Sequence, residues 1–271
     1  MADEDNRTVR DIFSDLSGAM SDPDPVKRAQ IQMQKPLPKR FYKEAGVAAQ
    51  EEGRYGVVLD GRPVRTPGRN LLAYPSEALA VRAAEEWASQ GEAIDPATMP
   101  LTRLANTALD GVASDMQAVA EDVLRFAGTD LICYRAGDPE RLVARQAETW
   151  DSVIDWAAGT LGARFLLAEG VMHVAQPREA IAAFSVHVAG FDDPLALAAL
   201  HVATALTGSA ILAMALAKGA HSPDEIWAMA HLDEMWNEEL WGQDHEALKR
   251  RAARRRDFDA AALVLDDAAS R

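Results

Sequence analysis

Cysteine is nearly absent from this sequence: Cys133 stands alone in 271 residues. One thiol excludes an internal disulfide and a multi-cysteine zinc site, and it fits a reducing compartment. Positive charge is also in deficit, with a formal net charge of −14. That balance disfavours nucleic acid, whose phosphates call for a basic surface, and disfavours stable docking on an anionic membrane face. The start, MADEDNRTVR, has neither the basic-then-apolar order of a secretory signal nor the acid-poor, arginine-rich character of a mitochondrial presequence. A cytoplasmic location is the expectation that follows. Long apolar runs are scarce. Residues 194–217 reach spanning length, but His201, Thr204, Thr207, Gly208 and Ser209 interrupt them and no basic flank or aromatic belt frames them. They are predicted to form one or two buried helices rather than a membrane insertion. No repeat of fixed period appears.

What is present is an ordinary globular balance, 48% hydrophobic and 26% charged, long enough for two modest domains. Residues 1–38 read as a flexible tail with proline-bracketed polar stretches, allowing a short helix around residues 9–20. From Arg40 the pattern turns β-like. RYGVVLDGRPVRTP holds a strand-like run over 55–59, a turn signal at Asp60 and Gly61, and a second run closed by Pro67. A third short strand is predicted over 71–74. Ser76 is then placed to cap a helix whose buried stripe is Leu79, Ala83 and Trp87. Residues 39–100 therefore read as a small α+β domain, an antiparallel sheet packed on a helix. Residues 101–271 read as a larger, mainly helical domain, with LICYRA as a short extended piece and β-like fragments within 165–174.

Catalytic signatures are missing as well. There is no GxGxxG after a strand, no phosphate-cradling loop ending in Lys-Ser or Lys-Thr, no GxSxG and no HExxH. Cys133, among apolar neighbours, reads as an inert core thiol. One segment concentrates chemistry, HLDEMWNEELWGQDHE over 231–246. Helical spacing brings His231 near Glu234, and Glu234 near Glu238, a set that could hold a metal with help from His221 or His245. The competing readings are a solvated acidic face, or a partner-binding surface in which Trp236 and Trp241 flank the carboxylates. The basic run that follows, 249–256, reads as a solvated helix able to pair with those acids.

Eight segments in order resemble the F1-ATPase alpha-subunit assembly chaperone family of mitochondria and alphaproteobacteria. They are KRFYKEAGV at 39–47, YGVVLDGRPVRTP at 55–67, AEEWASQ at 84–90, MPLTRLANTALDGV at 99–112, TDLICYRA at 129–136, QAETWDSVIDW at 146–156, TGSAILAMAL at 207–216 and LDEMWNEELWGQD at 232–244. Ser152 and Asn237 depart from the pattern, which has proline and glutamine there. The resemblance implies an α+β fold with a C-terminal orthogonal helical bundle, no catalysis and no required cofactor. It implies a protein client, the free alpha subunit, released when the beta subunit replaces the chaperone. It points to Glu239 as a polar contact, with Glu238, Asp244, Trp236 and Trp241 around it as anchors or supports. The alternative is a metal-binding protein or metal-dependent enzyme using His231, Glu234 and Glu238.

Overall fold

An Asp-Gly pair between two apolar runs favours a tight hairpin, because both central residues of such a turn need positive φ. In the computed structural model, which describes residues 37–170 and 172–271, Asp60 and Gly61 take φ of 47° and 76°. The Asp60 carboxylate accepts the Lys43 and Glu44 amides at 3.1 and 2.9 Å, and these amides hold it below the usual carboxylate range. The expected tail and its short helix lie outside the described residues, except for Leu37 and Pro38.

The first compact unit runs to Asp115. Its sheet centres on β2 (Tyr55–Leu59), with β1 (Ala45–Ala49) antiparallel on one side, Ala45 facing Leu59 and Ala49 facing Tyr55. On the other side β3 (Arg62–Pro63) and β4 (Ala73–Tyr74) pair with opposite ends of β2. No separate strand was foreseen over AGVAA, because alanine and glycine carry little β preference. Helix α1 (Glu77–Ala88) begins as expected: the Ser76 hydroxyl accepts the Leu79 amide at 3.2 Å, and Leu79, Ala80, Ala83 and Ala84 are buried. It packs on β1 and β2.

The boundary between units falls between Asp115 and Met116, later than the residue 100 expected from sequence. A carboxylate explains the difference. Glu86 of α1 accepts the Leu101 and Thr102 amides, at 2.7 and 2.8 Å, at the start of α2 (Pro100–Asp110). Those amides have no partner within their own helix, so α1 caps α2 and keeps it in the first unit. Burial pushes the Glu86 carboxyl above its ordinary range.

The second unit, from Met116, is the helical one. It contains α3 (Met116–Gly128), α4 (Glu140–Thr160), α5 (Arg178–Val188), α6 (Pro194–Thr207), α7 (Ala210–Ala217), α8 (Pro223–Ala230), α9 (Leu232–Trp241) and α10 (His245–Ser270). A small sheet joins β5 (Tyr134–Arg135) and β6 (Ala168–Glu169) in parallel. The apolar run 194–217 becomes two core helices. Gly208, at φ 70°, ends α6, and the Ser209 hydroxyl caps α7 by accepting the Leu212 amide at 3.0 Å. All eight residues of α7 are buried, as an all-apolar helix requires. No helix among the described residues is long and apolar enough to cross a membrane.

LICYRA is less extended than expected. Residues Leu131–Cys133 form a 3-10 turn before β5, because the Asp130 carboxylate accepts the Ile132 amide. The same carboxylate accepts the Ile211 amide at 2.9 Å, tying this turn to the start of α7. Asp130 is fully buried, and burial outweighs these donors, raising its pKa from 3.8 to about 7. Cys133 is buried, and desolvation pushes its thiol well above the ordinary range, as suits an inert core residue.

A folded pKa above the unfolded one means that the folded state binds the proton more tightly. The stability contributed by protonated Asp130 is therefore complete below the unfolded value and lost as pH rises through the folded value of about 7. The loss is on the order of 4 kcal/mol between those limits. Asp130→Asn cannot ionise, so its urea-unfolding free energy should fall less than wild type's between about pH 4 and 8.

Candidate functional site

The segment rich in acids and tryptophan is built on two short helices. Helix α8 starts with a capping box between Ser222 and Glu225. It gives way to α9 at His231, which is 3% exposed, tilts its ring against Trp227 at 4.0 Å and places Nδ1 2.9 Å from the Trp227 carbonyl. A carbonyl only accepts, so Nδ1 carries the proton. Burial lowers the His231 pKa.

Helix α9 buries only Leu232 and Trp236. Polar bonds from both flanks supply the rest of its attachment. From α4, the Gln146 amide nitrogen donates to Asp233 at 2.8 Å, while its carbonyl accepts the Ala136 amide at 2.8 Å. Gln146 is 2% exposed, and a buried side-chain amide with both ends bonded fixes what it touches. From the adjacent position on α4, Arg145 Nη1 lies 2.8 Å from each oxygen of Glu239. The Arg141 guanidinium stands over the Trp236 ring at 5.9 Å. Trp150, fully buried, donates its indole N–H to the Met229 carbonyl of α8 at 2.9 Å. From α10, Arg251 sits between Glu234, at 3.3 Å, and Glu238, with which it makes a closer pair. The hydrogen bond and charge of Glu238 raise the Arg251 pKa despite partial burial.

This frame sorts the residues selected from sequence. Trp236 is buried, whereas Trp241 is 84% exposed beside Leu240 at 57%. Trp236 thus packs inside the unit, and Trp241 stands in solvent. Glu239 is paired to Arg145 but keeps more than half of its side chain in solvent. Glu238 is mostly covered and held by Arg251. Asp244 caps α10, accepting the Glu246 amide at 2.9 Å. Gly242, at φ 87°, ends α9 and turns the chain just beyond Trp241.

The metal alternative does not assemble. Glu234 and Glu238 both turn to Arg251, and His231 turns its Nδ1 to a backbone carbonyl. No group of three or more His, Cys, Asp or Glu among the described residues is placed to hold an ion. The carboxylates that suggested a ligand set are instead the acidic half of an ion-pair lattice. Sequence reasoning missed Arg141, Arg145 and Gln146 as partners of α9; helical spacing sets Arg141 beside Arg145 and Gln146 beside Trp150, but does not join the two pairs into one face. Pairing of the basic run with the preceding acids was foreseen, and Arg251 does it.

Stability and surface chemistry should therefore separate. Trp236→Ala removes a buried aromatic and is expected to cost about 3–5 kcal/mol. Trp241→Ala and Glu239→Gln are expected to cost about 0.5 kcal/mol each, because one is exposed and the other a surface ion pair. Urea midpoints at constant m-value check all three.

Comparison with known proteins completes the picture. Residues 39–158 match the family model described as ATP12 chaperone protein. The crystal structure of the Atu1473 protein of Agrobacterium tumefaciens, a candidate chaperone, is similar at 60% identity and a TM-score of 0.82, covering 95% of this chain and 96% of that one. The crystal structure of Atp12 from Paracoccus denitrificans is similar at 41% identity and a TM-score of 0.78, covering 84% of this chain and 97% of that one. With a matching family model and such identity over nearly the full length of both relatives, the chain belongs to the ATP12 chaperone family.

Proposed function

We propose that the client of this ATP synthase assembly chaperone is the free alpha subunit of F1, and that the exposed end of α9 is part of the surface that holds it. The observation that carries the reading is Trp241, the most exposed large apolar side chain among the described residues, standing beside Leu240. A large aromatic in solvent has little structural reason to be there, whereas an indole flanked by an aliphatic side chain and a carboxylate suits a protein interface. Glu239 supplies the polar element. The support beneath is rigid, since Gln146, Arg145 and Arg251 fix the helix and Trp236 fills the core side. The anchor can thus be presented with little ordering on binding.

The action is binding alone. An unassembled subunit exposes apolar surface that aggregates, and a chaperone must cover it yet yield to the proper partner. A contact built on one aromatic, one aliphatic and one carboxylate fits that demand for moderate strength.

Size-exclusion chromatography after co-expression with the alpha subunit tests the reading. Wild-type chain should co-elute with soluble alpha. Glu239→Lys puts a second cation against Arg145 and removes the carboxylate, and Trp241→Ala removes the anchor. Each should weaken capture by about tenfold or more, roughly the 1.4 kcal/mol or greater lost with a hot-spot side chain, while circular dichroism stays unchanged. Normal capture by both variants would exclude the end of α9 from the interface.

A further inference from the structure

One motif remains outside this reading, the GRPVRTP segment and the turn after it in the first unit. Arg62, Arg65 and Arg69 are all exposed there, and none forms an ion pair with another described residue. Arg164 and Arg178 are likewise exposed without an ion pair among the described residues, but each stands alone in its segment, and other arginines are paired. Arg82, Arg125, Arg135, Arg145, Arg251, Arg255 and Arg271 each lie against a carboxylate. In a chain of net charge −14, three uncompensated guanidiniums within one short segment are a local reversal of sign.

The turn is braced by one carboxylate that makes no ion pair with them. Asp110 accepts the Thr66 hydroxyl at 2.5 Å, the Gly68 amide at 2.7 Å and the Asn70 side-chain amide at 2.9 Å. A Cβ at Gly68 would lie 2.6 Å from an Asp110 oxygen, so any other residue there would push this carboxylate aside. Thr66 and Asn70 close the turn with a 2.9 Å backbone bond, and Arg65 Nη1 donates to the Arg69 carbonyl at 2.8 Å. Arg69 adopts φ 68°, a left-handed conformation that glycine or asparagine takes more readily. A strained arginine in a braced turn is an outlier that points to use of its side chain. Leu71, 41% exposed, adds an apolar neighbour.

We propose that this arginine turn is a docking site for a short acidic segment of a protein partner, separate from the end of α9. Guanidinium forks match carboxylates geometrically, and arginine is less strongly hydrated than lysine, so exposed arginines suit carboxylate recognition. Three guanidiniums within one short segment suit a compact acidic stretch of chain better than a long polyanion such as nucleic acid, which calls for a wider basic surface. The exposed Leu71 and the flanking prolines Pro63 and Pro67 give apolar surface of the kind a peptide backbone can lie on.

The test uses the full chain and a fluorescent peptide of about ten residues alternating Glu and Ala, followed by anisotropy at about 50 mM salt, where screening is modest. Saturable binding is expected, weakened about tenfold or more in Arg62→Ser/Arg65→Ser/Arg69→Ser. It should be unchanged in Lys249→Ser/Arg250→Ser/Arg256→Ser, which removes comparable charge from α10. A second variant guards against a folding artefact: Arg69→Gly relieves the positive φ, so it should raise the melting temperature while lowering peptide affinity. Absence of saturable binding, equal affinity in the turn variants, or displacement of the peptide by a similar molar amount of single-stranded oligonucleotide of matching charge would overturn the proposal. Because no alpha subunit is present, the result is independent of the client reading.

Discussion

A buried glutamine holds the acidic helix in place. Gln146 donates to Asp233 on one side and accepts the Ala136 amide on the other, with almost none of its surface left to water. An amide in that position cannot be half satisfied without a desolvation penalty of about 1–3 kcal/mol, so the two bonds act as a register pin. With Asp233 pinned, the residues that follow on α9 have determined neighbours: Trp236 meets Arg141, Glu239 meets Arg145, and Glu234 and Glu238 meet Arg251. The apolar end is then left to solvent. Each exposed ion pair contributes about 0–1 kcal/mol, so none of them alone holds the helix. Their value lies in orientation, because the helix buries only two side chains and its own hydrophobic contacts set little of its rotation.

A second economy of charge runs through the first unit. Glu86 and Asp110 each direct their oxygens to backbone or neutral side-chain donors, with Arg103 adding its charge near Glu86. Glu86 thereby joins α1 to α2, and Asp110 joins α2 to the arginine turn.

Local chemistry was legible where neighbours in sequence decide it. The Asp60 and Gly61 turn, the Ser76 cap, strand 55–59 and the burial of 194–217 each depend on residues within one or two turns of chain. The family resemblance, read from ordered motifs, agrees with the comparisons and with the α+β architecture. What sequence could not show is pairing over distance. Arg145 and Glu239 are 94 positions apart, and nothing in helical spacing selects that partner from the other arginines. The metal alternative failed for the same reason, since spacing placed carboxylates together without revealing Arg251 between them. The two tryptophans were not told apart in the sequence, where both buried and both at a partner surface stood as readings. Five residues apart on a helix, Trp236 and Trp241 sit about 140° from one another, so one face could not bury both.

Contact at position 241 is the most direct measure of the central claim. Cys133 is buried with its thiol pushed up by desolvation, so Trp241→Cys creates one reactive site for a thiol-linked photo-crosslinker. Illumination in the presence of the F1 alpha subunit should yield a chaperone–alpha adduct, and prior addition of beta subunit should suppress it. An alpha complex that forms normally but never crosslinks from this position would contradict the account.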